Sequence, residues 1–222
     1  MKTLFCGYRK WSLDVFEKIR DTKPDIVLIQ SPEMLSEITA AESWDVIFVV
    51  GWSWKIEPEI INKSLVVGIH PSDLPDYSGG SPIQNQILDG ITRTNSTLFK
   101  LNEKFDEGDI IDKEPVDLSG HMSDVFNSIS LSSVAMIQRF LNNYPDIKLV
   151  KQRGAGKKVR RIKPSDSRLE NPVGKNGKMS CRELWDFIRC REDPYPNAFF
   201  EDDTGRIVVR HVEFYEKGST DS

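Results

Sequence analysis

The sequence predicts an α/β protein: a mostly parallel sheet with flanking helices, followed by a small C-terminal helix and β-hairpin module. Three observations carry this. Short apolar runs alternate with stretches of helical spacing through the first half of the chain, and that alternation implies right-handed crossovers into a parallel sheet. Asp45–Val50 is almost unbroken in apolar content, as a strand covered on both faces must be. Near the end, Asp203-Thr204-Gly205 lies between two strand-like runs, which is a hairpin signal.

The elements follow in order. Lys2–Cys6 reads as the first strand, and Trp11, Val15, Phe16 and Ile19 give Trp11–Ile19 helical spacing. Asp25–Ile29 is a second strand. Ser31-Pro32-Glu33 opens a helix with a capping serine, proline in the first turn and an acid near the helix N-terminus. Asp45–Val50 is a third strand, a short helix follows Pro58, and Leu65-Val66-Val67 is a fourth, buried strand. Ser81–Leu88 starts as a helix with Pro82 in its first turn. Asn95–Leu101 and the run from Ile110 to about Val116 are further strands around an acidic turn. Ser123–Leu141 is the longest helical pattern, with an apolar face broad enough to be buried on more than one side. Lys151–Lys163 is rich in Lys, Arg and Gly and reads as a solvated connector, the alternative being a local nucleic-acid patch. Arg182–Arg191 is a last helix, and Ala198–Glu201 and Ile207–Phe214 are the hairpin strands. The division expected is a domain over 1–150, a linker over 151–180 and a small module over 181–222.

Bulk numbers narrow the function. The chain has 222 residues, 38% hydrophobic and 29% charged, with a net charge of −4 and a pI near 5.5. This argues against a broad nucleic-acid footprint. Cys6, Cys181 and Cys190 form no CxxC pair, so reduced thiols are expected, with no disulfide frame and no metal site. No basic-then-apolar leader and no run of 18 apolar residues occurs, so a cytoplasmic protein without a membrane span is expected. The loop Gly7-Tyr8-Arg9-Lys10 is neither a GxGxxG nor a P-loop. Its cations are either a phosphate grip near a helix N-terminus or plain solvated charge.

The stretch that draws chemistry is Gly68-Ile69-His70-Pro71-Ser72-Asp73-Leu74-Pro75, with Gly79-Gly80-Ser81-Pro82-Ile83-Gln84 just after it. A histidine at a strand end opening into a glycine turn is where an α/β fold places reactive groups. The plainer reading is a structural hydrogen-bonder. Gly51-Trp52-Ser53-Trp54 ends the third strand, and its indoles are either core packing or one wall of a pocket for a flat ligand.

Those two motifs, in order with Phe105-Asp106-Glu107-Gly108-Asp109-Ile110, resemble the formyltransferases that use N10-formyltetrahydrofolate, over most of residues 1–140. Glu183–Arg189 and Asp193–Phe200 resemble the segment after the core in the transfer RNA and sugar branches. The likeness is nearest to bacterial nucleotide-sugar N-formyltransferases, through Gly7-Tyr8-Arg9, Gly51–Trp54 and the Gly-Gly-Ser-Pro-Ile-Gln turn. The further basic β-barrel domain of the transfer RNA branch is not expected here.

The resemblance implies a Rossmann-like domain that moves a formyl group to the amine of a nucleotide-linked amino-dideoxy sugar. A dTDP-linked 3- or 4-amino sugar for O-antigen or a related glycan is favoured. Formyl transfer to glycinamide ribonucleotide or another small amine, and a non-catalytic folate-binding homologue, stay open. The chemistry is acyl transfer without an enzyme nucleophile, so it needs an oxyanion donor and a proton acceptor. The resemblance assigns these tasks to His70 and Asp106. It places Ser53, Trp54, Lys55, Ile56, Glu103, Lys104 and Phe105 on the folate, and the turn Gly79, Gly80, Ser81, Pro82, Ile83 and Gln84 on the amino sugar. Arg9 would meet the diphosphate, and Tyr195, Asn197 or Phe199 the base; Tyr195 and Phe199 are equally readable as hairpin core. Gly68 departs from the family, which commonly has Asn there to hold the oxyanion. A backbone N–H, His70, Gln84 or Asn85 would have to stand in. The expected partner is thus a nucleotide sugar, without nucleic acid or membrane, and the apolar hairpin and tail offer a contact for a homodimer.

Overall fold

The computed structural model describes residues 1–170 and 179–218, so part of the expected linker and the last residues of the C-terminal module lie outside the described residues. The first half alternates as expected: β1 (Thr3–Cys6), α1 (Lys10–Arg20), β2 (Val27–Ile29), α2 (Pro32–Ala41), β3 (Val46–Val49), α3 (Pro58–Lys63) and β4 (Leu65–His70). Then come β5 (Ser78–Gly79), α4 (Pro82–Leu88), β6 (Arg93–Lys100), β7 (Ile110–Asp117) and α5 (Met122–Asn143). The remainder is β8 (Lys158–Val159), a 3₁₀ turn (Pro164–Ser167), α6 (Cys181–Arg189), β9 (Ala198–Asp202) and β10 (Gly205–Val209).

The main sheet runs β2-β1-β3-β4-β6-β7. Its first four strands are parallel, and β6 and β7 join antiparallel. Strand alternation divides the side chains between two cores. Phe5, Phe48 and Val67 face α1 and α5, while Leu4, Ile47 and Val66 face α2 and α3. Phe5, Phe48, Leu4 and Ile47 are fully buried, each contributing roughly 1.5–3 kcal/mol of apolar transfer. β1 and β3 sit side by side while β2 lies on the far side of β1, so the direction of winding reverses there. The C-terminal ends of β1, β3 and β4 therefore open onto a crevice at a topological switch point.

Local chemistry sets the helix ends. Ser31 caps α2 by accepting the Met34 N–H at 3.3 Å, ahead of Pro32. Ser180 and Glu183 form a reciprocal capping box on α6. The C-terminal module is tied to the sheet domain by Arg189, whose side chain is 1% exposed. Its Nε donates to Asp186 at 2.7 Å and its Nη1 to the carbonyls of Leu118 and Gly120, both at 2.8 Å. These hydrogen bonds and the Asp186 carboxylate offset the cost of burying the guanidinium.

Three details differ from the sequence reading. The hairpin's second strand ends at Val209 rather than running to Phe214, because the 211–215 stretch turns to pack on α6 and the start of α5 through His211 and Phe214. The short strands β5 and β8 pair in parallel, each too short to leave a periodic signal. The side chains of 151–163 are largely solvent-facing as expected, yet the backbone there forms β8 and reaches the crevice. No helix among the described residues is long and apolar enough to cross a membrane.

Candidate active site

His70 is the last residue of β4, held by antiparallel pairing to Thr97 of β6. Its ring is 7% exposed and is fixed from one side by the chain that follows. Its Nε2 lies 2.9 Å from the Tyr77 carbonyl. A carbonyl only accepts, so Nε2 carries the hydrogen and Nδ1 is left as the nitrogen that takes or gives a proton. Nδ1 faces the Asp106 carboxylate at 3.6 Å, just beyond a direct hydrogen bond. The sequence-predicted pair is thus brought together, with a defined tautomer.

Asp106 is positioned from three sides. Its own backbone is left-handed (φ 56°), a conformation Asp tolerates better than most residues. Its Oδ2 accepts the Gly79 N–H at 2.8 Å, which locks the acidic turn to the glycine turn. Its carbonyl and that of Gly108 accept the two hydrogens of the Gln152 side-chain amide at 2.7 and 2.9 Å. Gln152 lies in the presumed connector, where nothing in the sequence marks it as a brace. Gly79 needs to be glycine: its φ is 102°, and a Cβ would stand 2.5 Å from the Val159 carbonyl oxygen.

Around this pair is a cavity of about 840 Å³, within the range of small-molecule sites. It collects nearly all of the predicted residues. Ser53, Trp54, Lys55 and Ile56 line one side and Glu103, Lys104 and Phe105 another. The Gly79–Gln84 turn, Arg9 and Tyr195 complete it. Trp52 and Trp54 meet at 4.9 Å, and Tyr8 packs on Trp54 at 4.7 Å, so the indoles form an aromatic corner at the cavity. The Tyr8 hydroxyl and the Arg9 guanidinium both reach Ser53 Oγ, at 2.7 and 3.1 Å. Tyr195 packs on Phe126, and burial pushes its phenol up to about 12.

Two predicted residues are not brought to the cavity. Asn197 is spent on the turn beside it, donating to the Arg191 carbonyl at 2.9 Å and accepting from Arg210 at 3.0 Å. Phe199 is hairpin core, covered by Arg168 and Arg206. Among the lining residues that the sequence reading missed are Arg161 and Ile162. They arrive because the Val159 carbonyl accepts the Gly80 N–H at 3.0 Å and the Ile162 N–H donates to Ser81 Oγ at 3.1 Å.

Gly68 also lines the cavity. A Cβ there would stand 2.5 Å from Leu101 Cδ1 and 3.1 Å from Phe99 Cε1. The space that a side chain would need is filled by these two. Of the nearby amides, Asn85 donates to the carbonyls of Gly80, Ser81 and Arg160, and Gln86 to those of Pro71 and Pro82. Gln84 is different. It is 3% exposed, lines the cavity, and its amide has no hydrogen-bond partner among the described residues.

Comparison with known proteins fits this geometry. The family described as formyl transferase matches residues 16–126, half of the chain. The chain belongs to the formyl transferase family. A methionyl-tRNA formyltransferase from Ehrlichia ruminantium is 29% identical over 182 residues, covering 80% of this chain and 57% of that protein. The chain thus spans little more than half the length of such a relative. Among solved structures, a methionyl-tRNA formyltransferase from Clostridium thermocellum superposes with a TM-score of 0.85 at 25% identity, over 99% of this chain and 95% of that one. A sugar N-formyltransferase from a Shewanella species shares the fold, with a TM-score of 0.74 at 14% identity over 98% and 99% of the two chains.

Proposed function

We propose that this protein transfers a formyl group from N10-formyltetrahydrofolate to the amine of a nucleotide-linked amino sugar, a dTDP-linked 3- or 4-amino sugar being favoured. The observation that carries the reading is the His70–Asp106 pair on the wall of a cavity with an aromatic corner and cations at Arg9 and Arg161. The folate supplies the activated formyl group. A flat heterocycle fits beside Trp52, Trp54 and Ile56, with the backbone of 103–105 opposite; Trp54 and Phe105 offer exposed rings at the cavity.

The chain's own residues then have defined tasks. As the amine bonds to the formyl carbon, His70 Nδ1, unprotonated while Nε2 is held by Tyr77, accepts the amine's proton, and that proton goes on to folate N10 as the C–N10 bond breaks. Asp106 faces that nitrogen and stabilises the imidazolium as it forms. The 3.6 Å separation closes to a charge-assisted hydrogen bond once the ring is protonated. A positioned acid–base group of this kind contributes about 10²–10⁴ in rate. Gln84, buried and uncommitted, is the side-chain amide available to the developing oxyanion now that Gly68 offers none.

The choice of a small anionic substrate over an extended nucleic acid rests on where residues 157–161 of the basic run spend their charge. Lys157 pairs with Asp89, Lys158 with Glu107 at 3.1 Å and Arg160 with Asp166 at 2.7 Å. Arg161, next in line, lies at the cavity instead. A second reading, formylation of a methionyl-tRNA, is favoured by the named relatives.

One experiment separates the two. The purified chain is incubated with N10-formyltetrahydrofolate and either a panel of dTDP-, UDP- and GDP-linked amino sugars or methionyl-tRNA, and folate release is followed. Release driven by a nucleotide sugar supports the proposal. Release with methionyl-tRNA alone replaces it, and folate binding with no release for any acceptor favours a non-catalytic protein. Cytoplasmic residence, which a folate donor requires, belongs to the same reading.

A further inference from the structure

The chain has three histidines. His70 belongs to the cavity, and the other two, 121 and 211 in sequence, meet on the far side of the cis turn at 193–194. Their rings stack with centroids 4.3 Å apart and planes 24° from parallel. Two carboxylates clasp the stack, one along each edge. Glu192 Oε1 faces both Nδ1 atoms, at 2.7 Å from His121 and 3.5 Å from His211. Glu213 faces both Nε2 atoms, at 3.6 Å from His121 and 2.8 Å from His211. Glu192 is itself buried, and its Oε2 accepts the Met122 N–H at 3.0 Å.

We propose that His121, Glu192 and His211 form a binding site for a divalent transition-metal ion of the zinc class, with Glu213 as the outer carboxylate. One ligand atom from each of the three lies within 4.8 Å of the others. Two imidazole nitrogens and one carboxylate oxygen are a donor set that Zn²⁺ takes at about 2.0–2.2 Å, leaving its fourth position for water. Glu213 then accepts from the Nε2–H of both rings, the outer-shell arrangement that fixes a ligating histidine's tautomer and raises its basicity. Met122 plays the same part for Glu192. Entry of the ion requires the stacked rings to splay, since each must turn its Nδ1 lone pair toward a common point.

Charge favours a dication here. Two carboxylates, Glu192 and Glu213, face the two rings. A divalent ion between neutral rings balances both carboxylates. The site joins three separate pieces of chain: the N-terminus of α5, the turn after α6, and the tail after β10. Bound metal would pin the tail to the core at the turn that carries Tyr195 into the cavity.

The test is metal titration of the full chain in a Cys181→Ser background, so that the exposed thiol does not compete. Calorimetry with Zn²⁺ should show one ion per chain, and Co²⁺ should give the visible absorption of a tetrahedral N/O site. His211→Ala, at an exposed position that leaves the Glu192–Met122 contact intact, should weaken Zn²⁺ binding by tenfold or more. Glu213→Gln should weaken it by roughly 10–100-fold. His70→Asn should leave it unchanged, which keeps this result independent of formyl transfer. Absence of saturable one-to-one binding overturns the proposal. So does binding that His211→Ala, folded by circular dichroism, leaves unaltered, or binding that His70→Asn removes.

Discussion

His70 and Asp106 face each other across 3.6 Å, the histidine held by the Tyr77 carbonyl and the aspartate by the Gly79 N–H. The two restraints come from one short segment, so the 77–79 turn sets both partners of the pair at once. On the proposed mechanism, His70→Asn should cut turnover by about 10²–10⁴, with the folded state intact. Asp106→Ala should fall in the same range. Gln152→Leu removes the brace on the Asp106 and Gly108 carbonyls without touching either catalytic side chain, and a smaller loss in kcat with little change in KM is expected. Steady-state kinetics on the three variants check the ordering. Near-native turnover of His70→Asn removes the proton-acceptor role.

Gly68 gives a prediction of opposite sense to simple restoration. Adding the asparagine that the family commonly has should not raise activity, because its Cβ would meet Leu101 Cδ1 at 2.5 Å and Phe99 Cε1 at 3.1 Å. Overpacking of this kind costs roughly 1–3 kcal/mol. Gly68→Asn should therefore unfold at lower denaturant, and Gly68→Asn with Leu101→Ala should recover part of the loss. Equal stability of Gly68→Asn and the parent would show that the pocket yields.

Gln84 carries a distinguishable signature. Its side chain is buried at the cavity wall and its amide makes no hydrogen bond among the described residues, so Gln84→Leu breaks no intramolecular hydrogen bond and should leave stability nearly unchanged. Activity should nonetheless drop, by up to about 10²–10³ if the amide donates to the oxyanion. A loss of turnover at nearly unchanged stability is the expected result. Unchanged turnover would pass the donor role to a backbone N–H.

The elements that dictated themselves locally were legible in the sequence. Apolar runs broken by glycine marked β1, β3 and β4, the Ser31-Pro32 start marked α2, and the His70 and Asp106 motifs lay in recognisable order. What escaped notice depends on long-range backbone contacts. β8 is two residues long and forms because Val159 pairs with Gly79, so composition showed only a charged connector. Gln152 and Arg161 act from that same stretch. Asn197 and Phe199 look like ligand contacts by motif, but the hairpin uses both for its own packing. The His121–His211 stack joins positions 90 apart in the chain, a distance over which no spacing rule speaks.

The loop beside the cavity should be sensitive to acid. The Arg160 guanidinium and the Lys163 N–H hold the Asp166 carboxyl down to about 2, from an ordinary 3.8. The folded value lies below the unfolded one, so this contact stabilises fully above about pH 4 and is lost as pH falls toward 2. Asp166→Asn should remove the dependence and loosen 160–166 even at neutral pH. Because the Arg160 side chain is largely exposed, the effect on global stability is small and the local loop is the place to read it. Proteolysis or amide exchange of 158–166 as a function of pH reads it directly. A loop whose exchange is the same at pH 3 and pH 7, after correction for intrinsic rates, would show that the ion pair does not hold it.

Arg161 bears on substrate choice. It lies at the cavity while its neighbours Lys157, Lys158 and Arg160 are paired with carboxylates. A diphosphate reaching the Gly79–Gln84 turn would meet it together with Arg9. Arg161→Gln should raise KM for the anionic acceptor by roughly tenfold, the loss of one charge-assisted hydrogen bond of about 1.5 kcal/mol, and leave KM for the folate near the parent value. Arg9→Gln should do the same, with an added effect on the Ser53 contact. Raising salt should weaken the parent's acceptor binding more than that of Arg161→Gln, since a screened charge is lost only where one exists. If instead Arg161→Gln raises KM for the folate and spares the acceptor, the two ligands occupy the cavity in the reverse order, and the nucleotide side must be sought along Trp52 and Trp54.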